Sequence, residues 1–140
     1  MNRADVTKQL EEIVTSGDDF EWQSGQLTDE WEKEPKSLEI VEAILQFMES
    51  HPEIEYGIPG SLVHFVEAFP NYNEKIIESV ERKPTPHTVW MLDRVITGEQ
   101  DQRRRDGLIA VMRRVLENPA ADLEARNRAS ESVEFHTQKR

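Results

Sequence analysis

Cysteine is absent from the 140 residues, which removes a disulfide scaffold and any thiolate zinc site. No apolar run approaches the ~20 residues needed to span a bilayer. The opening MNRADVTKQLEE lacks the apolar core of a signal peptide, so a cytoplasmic location is expected. Sustained period-two alternation is missing too, which argues against a sheet. Basic residues are outnumbered 28 to 17 by acidic ones, and the net charge is −11. A polyanion needs a basic footprint, and an anionic membrane surface attracts positive charge. Both are therefore poor partners for the whole chain.

Catalytic signatures are equally scarce. There is no G-x-G-x-x-G or phosphate loop and no HExxH. Ser61 lies in IPGSL, which is not a nucleophile elbow and reads as a helix start. Of the four histidines, His51 and His87 neighbour prolines and are expected to be exposed. His64 and Glu67 share a helical face, but a catalytic zinc needs three protein ligands. The expectation is therefore no metal, no cofactor and no enzymatic activity.

The acidic excess is unevenly placed. Residues 1–56 carry 15 acids against four bases, Arg3, Lys8, Lys33 and Lys36. Residues 57–140 carry 13 of each. The densest stretch, DDFEWQSGQLTDEWEKE from Asp18 to Glu34, also holds Phe20, Trp22 and Trp31. It reads either as a solubilising segment with its aromatics tucked into the core or as an acidic contact surface with aromatic anchors. Charge steers encounter, and desolvated tryptophans supply binding energy.

Helical periodicity is strong elsewhere. Ser37 is a candidate N-cap for residues 38–50, with Leu38, Val41, Ile44, Leu45 and Met48 on one face. Pro59 and Gly60 open a second helix bearing Leu62, Val63, Phe65, Val66 and Phe69. Asn73 is expected to cap a third over 74–82, with Ile76, Ile77 and Val80 inward. Thr85–Pro86 starts a fourth that offers Val89, Trp90, Leu92, Val95 and Ile96, stopped by Gly98. Further helices are expected over about 100–117 and 121–135, and an N-terminal one over 3–15 with Leu10, Ile13 and Val14 inward. Trp90, Leu92, Phe65 and Leu62 are the leading core candidates.

Three helix ends resemble one another: ILQFMESHP at 44–52, IIESVERKP at 76–84 and VMRRVLENP at 111–119. They are 32 and 35 residues apart, and each is followed by another helix. A period in this range belongs to stacked α-hairpins. The expected fold is all-α, a HEAT-like right-handed solenoid of six to seven helices in one domain over 1–140. Residues 1–36 would form an acidic N-terminal capping segment, and 37–140 three helix–Pro–helix repeats. Arg103, Arg104, Arg105, Arg113 and Arg114 form the one basic cluster. It reads as a solvated face balanced by Asp101, Asp106 and Glu117. An RNA-binding face is the alternative, weakened by the lack of stacking aromatics nearby.

IPGSLVHFVEAF at 58–69 and RKPTPHTVWMLDRVITG at 82–98 resemble small all-helical immunity proteins of bacterial polymorphic-toxin and contact-dependent inhibition systems. The likeness spans about residues 44–119 and supplies no contact motif. It implies a cytosolic antidote that binds and blocks one delivered toxin domain, and many such toxins are nucleases with basic active sites. An acidic inhibitor fits that field. From charge density, the candidate partner-binding residues are Asp18, Asp19, Glu21, Trp22, Asp29, Glu30, Trp31 and Glu32. The rival reading is a helical-repeat adaptor that takes a protein or peptide in its groove.

Overall fold

The computed structural model describes residues 1–17 and 19–138. These residues form eight helices and no strand: α1 Arg3–Ser16, α2 Phe20–Trp31, α3 Leu38–Ser50, α4 Ser61–Glu67, α5 Tyr72–Arg82, α6 Pro86–Gly98, α7 Gln102–Val115 and α8 Leu123–Thr137. The protein is all-α, with one helix more than the six to seven expected. None of the helices is long and apolar enough to cross a membrane.

Side-chain caps account for most of the starts. Asn2 and Asp5 form a reciprocal capping box at α1, and Thr85 and Thr88 form another at α6, where Pro86 occupies the first turn. Ser37, Asp101 and Asp122 cap α3, α7 and α8. The start of α5 differs from expectation. It begins at Tyr72, one residue after Asn71 adopts a left-handed φ of 63°, so Asn73 lies inside the first turn rather than capping it. All three look-alike segments end helices, α3, α5 and α7, and a further helix follows each.

The extra helix is α2, in the stretch expected to belong to a capping segment. Its buried positions are Ser24, Thr28 and Trp31, so two of the three are small and polar. Ser24 Oγ donates to the Glu21 carbonyl at 3.1 Å, and Thr28 Oγ1 to the Gly25 carbonyl at 3.0 Å. Each hydroxyl is thus satisfied within its own helix and can be buried without a further partner. An apolar stripe is not required, which is why hydrophobic periodicity did not reveal the helix.

The chain divides into two compact units, Met1–Lys75 and Ile76–Arg140, with the boundary inside α5. The charge divides with it. The first unit has 17 acids against five bases, and the second 11 against 12.

In the first unit α1 packs on α3, α2 on α4, and α1/α2 and α3/α4 also meet. The most buried element is α3, where Ile40, Val41, Ile44, Leu45 and Met48 are at most 1% exposed. Leu10 and Ile13 of α1 are buried as expected, whereas Val14 is exposed. Phe20 stacks on Phe47 at 5.8 Å between ring centres and meets Tyr56 edge-on at 5.5 Å. Gly60 opens α4 at a close approach, because a Cβ there would collide with the Tyr56 carbonyl.

In the second unit α6, α7 and α8 pack against one another pairwise. The buried strip of α8 is Ala125, Ala129, Ser132, Val133 and His136, small enough for its neighbours to approach closely. Leu92 is fully buried, as are Leu62 and Phe65 in the first unit. Trp90 is only half-buried, contrary to expectation. Its ring lies along the flank of α6, 5.3 Å from the His87 ring and 5.2 Å from the Arg94 guanidinium.

Candidate protein-binding surface

At about 100° per residue, α2 separates the acidic stretch into two faces. Phe20, Ser24, Thr28 and Trp31 turn inward. Glu21, Trp22, Asp29 and Glu30 are exposed, together with the flanking Asp19 and Glu32. Trp22 is 61% exposed and lies in the first turn of α2, beside Asp19 and Glu21 and about 10–12 Å along the axis from Asp29 and Glu30. Asp19 is the N-cap of α2, its carboxylate accepting weakly from the Trp22 N–H at 3.4 Å. Six of the eight sequence-derived contact residues therefore share one exposed surface. Asp18 lies outside the described residues.

Trp31 does not belong to that surface. It is 3% exposed, its indole N–H donates to Gln9 Oε1 at 2.7 Å, and its ring tilts against Phe65 at 5.7 Å. Nine residues separate it from Trp22, which is two and a half helical turns and hence the opposite face. The helical spacing was the signal that could have told the two tryptophans apart.

Asp29, Glu30 and Glu32 crowd the C-terminal end of α2, where the last turn has no basic residue. Backbone carbonyls make that end partially negative, so each carboxylate there costs about 0.3–1 kcal/mol at low salt. Carboxylates thus stand at both ends of the helix, favourable to its dipole at Asp19 and Glu21 and unfavourable at Asp29, Glu30 and Glu32.

Beside this face lies a groove of about 480 Å³ between α1 and α2. Ile13 and Leu27 supply its apolar surface. Gln9, Glu12, Gln23, Gln26 and Glu30 supply most of the polar surface, and among the described residues none that lines it is basic.

The second unit contains a polar cluster that the sequence did not reveal. Asp93 Oδ1 accepts from Ser132 Oγ at 2.5 Å and from His136 Nε2 at 2.8 Å. Arg105 Nη2 donates to His136 Nδ1 at 2.8 Å. A guanidinium can only donate, so Nδ1 is the acceptor and Nε2 carries the imidazole proton. Ser132 bonds the carboxylate rather than the imidazole. The three groups are therefore not ordered as nucleophile, base and orienter. Ser132 and His136 lie one turn apart on α8, but Asp93 and Arg105 are distant in sequence, so no local pattern marks the cluster.

The remaining histidines differ from expectation in part. His51 is half-buried rather than exposed: its ring lies 4.5 Å from Phe47, and α1 brings Glu11 against its Nε2 at 2.5 Å. His87 is also half-buried, and its pKa is pushed down to about 4, first by burial and then by the Arg128 charge. Burial pushes the Tyr56 phenol up, with Glu53 and Glu11 adding to the effect, and its O–H donates to the His51 carbonyl at 2.8 Å. His64 is exposed, and no group of three potential metal ligands occurs among the described residues.

The arginine cluster is divided among different tasks. Arg105 serves His136, and Arg114 pairs with Glu81 at 2.9 Å, while Arg103, Arg104 and Arg113 are exposed. A second groove, of about 450 Å³, runs between α6 and α8, bounded by Val89, Trp90 and the exposed Phe135, with Arg128 and Glu131 at its polar edge.

No protein-family model, curated protein or solved structure matches this chain.

Proposed function

We propose that this protein is an immunity protein, an antidote that binds and blocks a basic, nuclease-type toxin domain. The observation that carries the reading is Trp22, 61% exposed on the same outward side of α2 as its carboxylates. A large apolar ring left in water loses free energy unless something covers it, and aromatic side chains dominate the energetics of protein interfaces. The surrounding carboxylates supply the field that steers a basic partner, raising association rates by about 10–10³-fold. The carboxylates at the α2 C-terminus oppose the helix dipole, and contact with a basic partner would relieve that cost. The resemblance of residues 58–69 and 82–98 to immunity proteins points the same way. Inhibition then requires no chemistry: the acidic face occupies the positive surface on which the toxin would hold nucleic acid phosphates.

Co-expression tests the proposal. The reading expects a toxin domain encoded beside this gene, which should arrest growth when produced alone and lose that effect when this protein is produced with it. Arrest that persists with both proteins present and soluble would contradict the reading. A second reading, a helical adaptor for a peptide, draws on the Trp90–Phe135 groove between α6 and α8. Replacing Phe135 by Ser separates the two, because the antidote reading expects protection to survive and the adaptor reading expects partner binding to fail.

A further inference from the structure

We infer that the groove between α1 and α2 is the receptor for a single arginine side chain of the basic partner. The inference rests on the antidote reading and deepens it. It adds a defined pocket to a charged face, and a specific chemical group to fill it.

The groove has the parts such a side chain needs. The half-buried Leu27 offers apolar surface along which the three methylenes of an arginine can lie, over a floor formed by the buried Ile13. Glu12 comes from the α1 wall and Glu30 from the α2 wall, both exposed and both acceptors only. Gln26 adds a carbonyl oxygen on the α2 side. A guanidinium carries five donors in a planar fork, which suits several acceptors around one site better than a compact ammonium does. Among the described residues, no lysine or arginine lines the groove to neutralise it. Its α2 wall also adjoins the exposed face. Gln26 lies about 40° around and about 6 Å along the helix from Trp22, and Glu30 about 80° around and about 12 Å along, so a partner that covers both Trp22 and the C-terminal carboxylates is placed to reach into the groove.

The test uses the full chain and a small probe, with no toxin present. The 15N-labelled protein is titrated at neutral pH and low salt with acetyl-Gly-Arg-Gly-amide and with the same peptide carrying citrulline, which is uncharged and nearly isosteric. The expected result is saturable shifts confined to amides of α1 and α2 around Glu12 and Glu30, with citrulline binding at least about tenfold more weakly. The variant carrying Glu12→Gln and Glu30→Gln alters only exposed side chains. It should keep its amide spectrum and lose the arginine response by a similar factor. Equal response to both peptides, shifts centred elsewhere, no saturable shift, or an undiminished response in the double variant would overturn the inference. Failure of the co-expression experiment would count against the antidote reading alone, because the peptide result does not depend on any toxin.

Discussion

Trp31 and Gln9 tie α2 to α1: the indole Nε1–H donates to Gln9 Oε1 at 2.7 Å, and the ring packs on Phe65 of α4. The more acidic helix surface is therefore held in place by the tryptophan on its reverse side. Replacing Trp31 by Ala should cost about 3–5 kcal/mol, as for other buried aromatics. Trp31→Phe keeps much of the packing and loses the hydrogen bond, for about 1 kcal/mol. Chemical denaturation measures both. A loss below about 1 kcal/mol for the alanine variant would place Trp31 outside the core.

Much of this fold can be read from sequence where apolar periodicity and caps coincide. Ser37 before the α3 stripe and Thr85–Pro86 before α6 mark their helices because capping chemistry and buried face agree. Between Asp19 and Trp31 those signals part. The buried face there is made from Ser24 and Thr28, whose hydroxyls are satisfied locally, so its polarity disguises it. Charge density correctly drew attention to the segment but could not separate Trp22 from Trp31 until the helix was known. The Asp93–His136 contact joins residues 43 apart, which no local pattern encodes.

That contact gives a second prediction. His136→Ala leaves the Asp93 carboxylate and the part-buried Arg105 guanidinium without their shared partner. The variant should lose about 2–4 kcal/mol by denaturation. Ser132→Ala removes one neutral donor to Asp93 and should lose nearer 1 kcal/mol. Equal losses for the two would show that the imidazole is not the centre of the cluster.

His87 makes stability depend on pH. Its folded pKa is lowered to about 4 from 6.5, so the folded chain binds fewer protons than the unfolded chain between these values. Its contribution is complete above about pH 6.5 and is lost as pH falls towards 4, up to about 3 kcal/mol in all. His87→Gln removes this titration. The difference in unfolding free energy between the natural protein and the variant should therefore change between pH 7.5 and 4.5, with the natural protein losing more. Parallel pH profiles would contradict the assignment.

Gly57 supports a turn with φ 97°, a conformation that L side chains rarely adopt, and a Cβ there would also press on the Glu21 carboxylate. Gly57→Ala should lower the melting temperature, with a stability loss of about 1–3 kcal/mol. An unchanged melting temperature would mean that the turn relaxes freely.

The proposed binding of a basic toxin domain by the exposed face of α2 is decided by the association and dissociation kinetics of that complex for two variants first shown to be folded. Trp22→Ala should leave stability within about 0.5 kcal/mol of the natural protein, as expected for an exposed side chain. It should raise the dissociation rate by an amount equivalent to about 2 kcal/mol or more. The variant combining Asp19→Lys, Asp29→Lys and Glu30→Lys should instead slow association. That defect should shrink as salt rises, because the screening length falls to about 10 Å at 0.1 M and about 3 Å at 1 M. Natural rates in both variants would contradict the account and move the interface off α2.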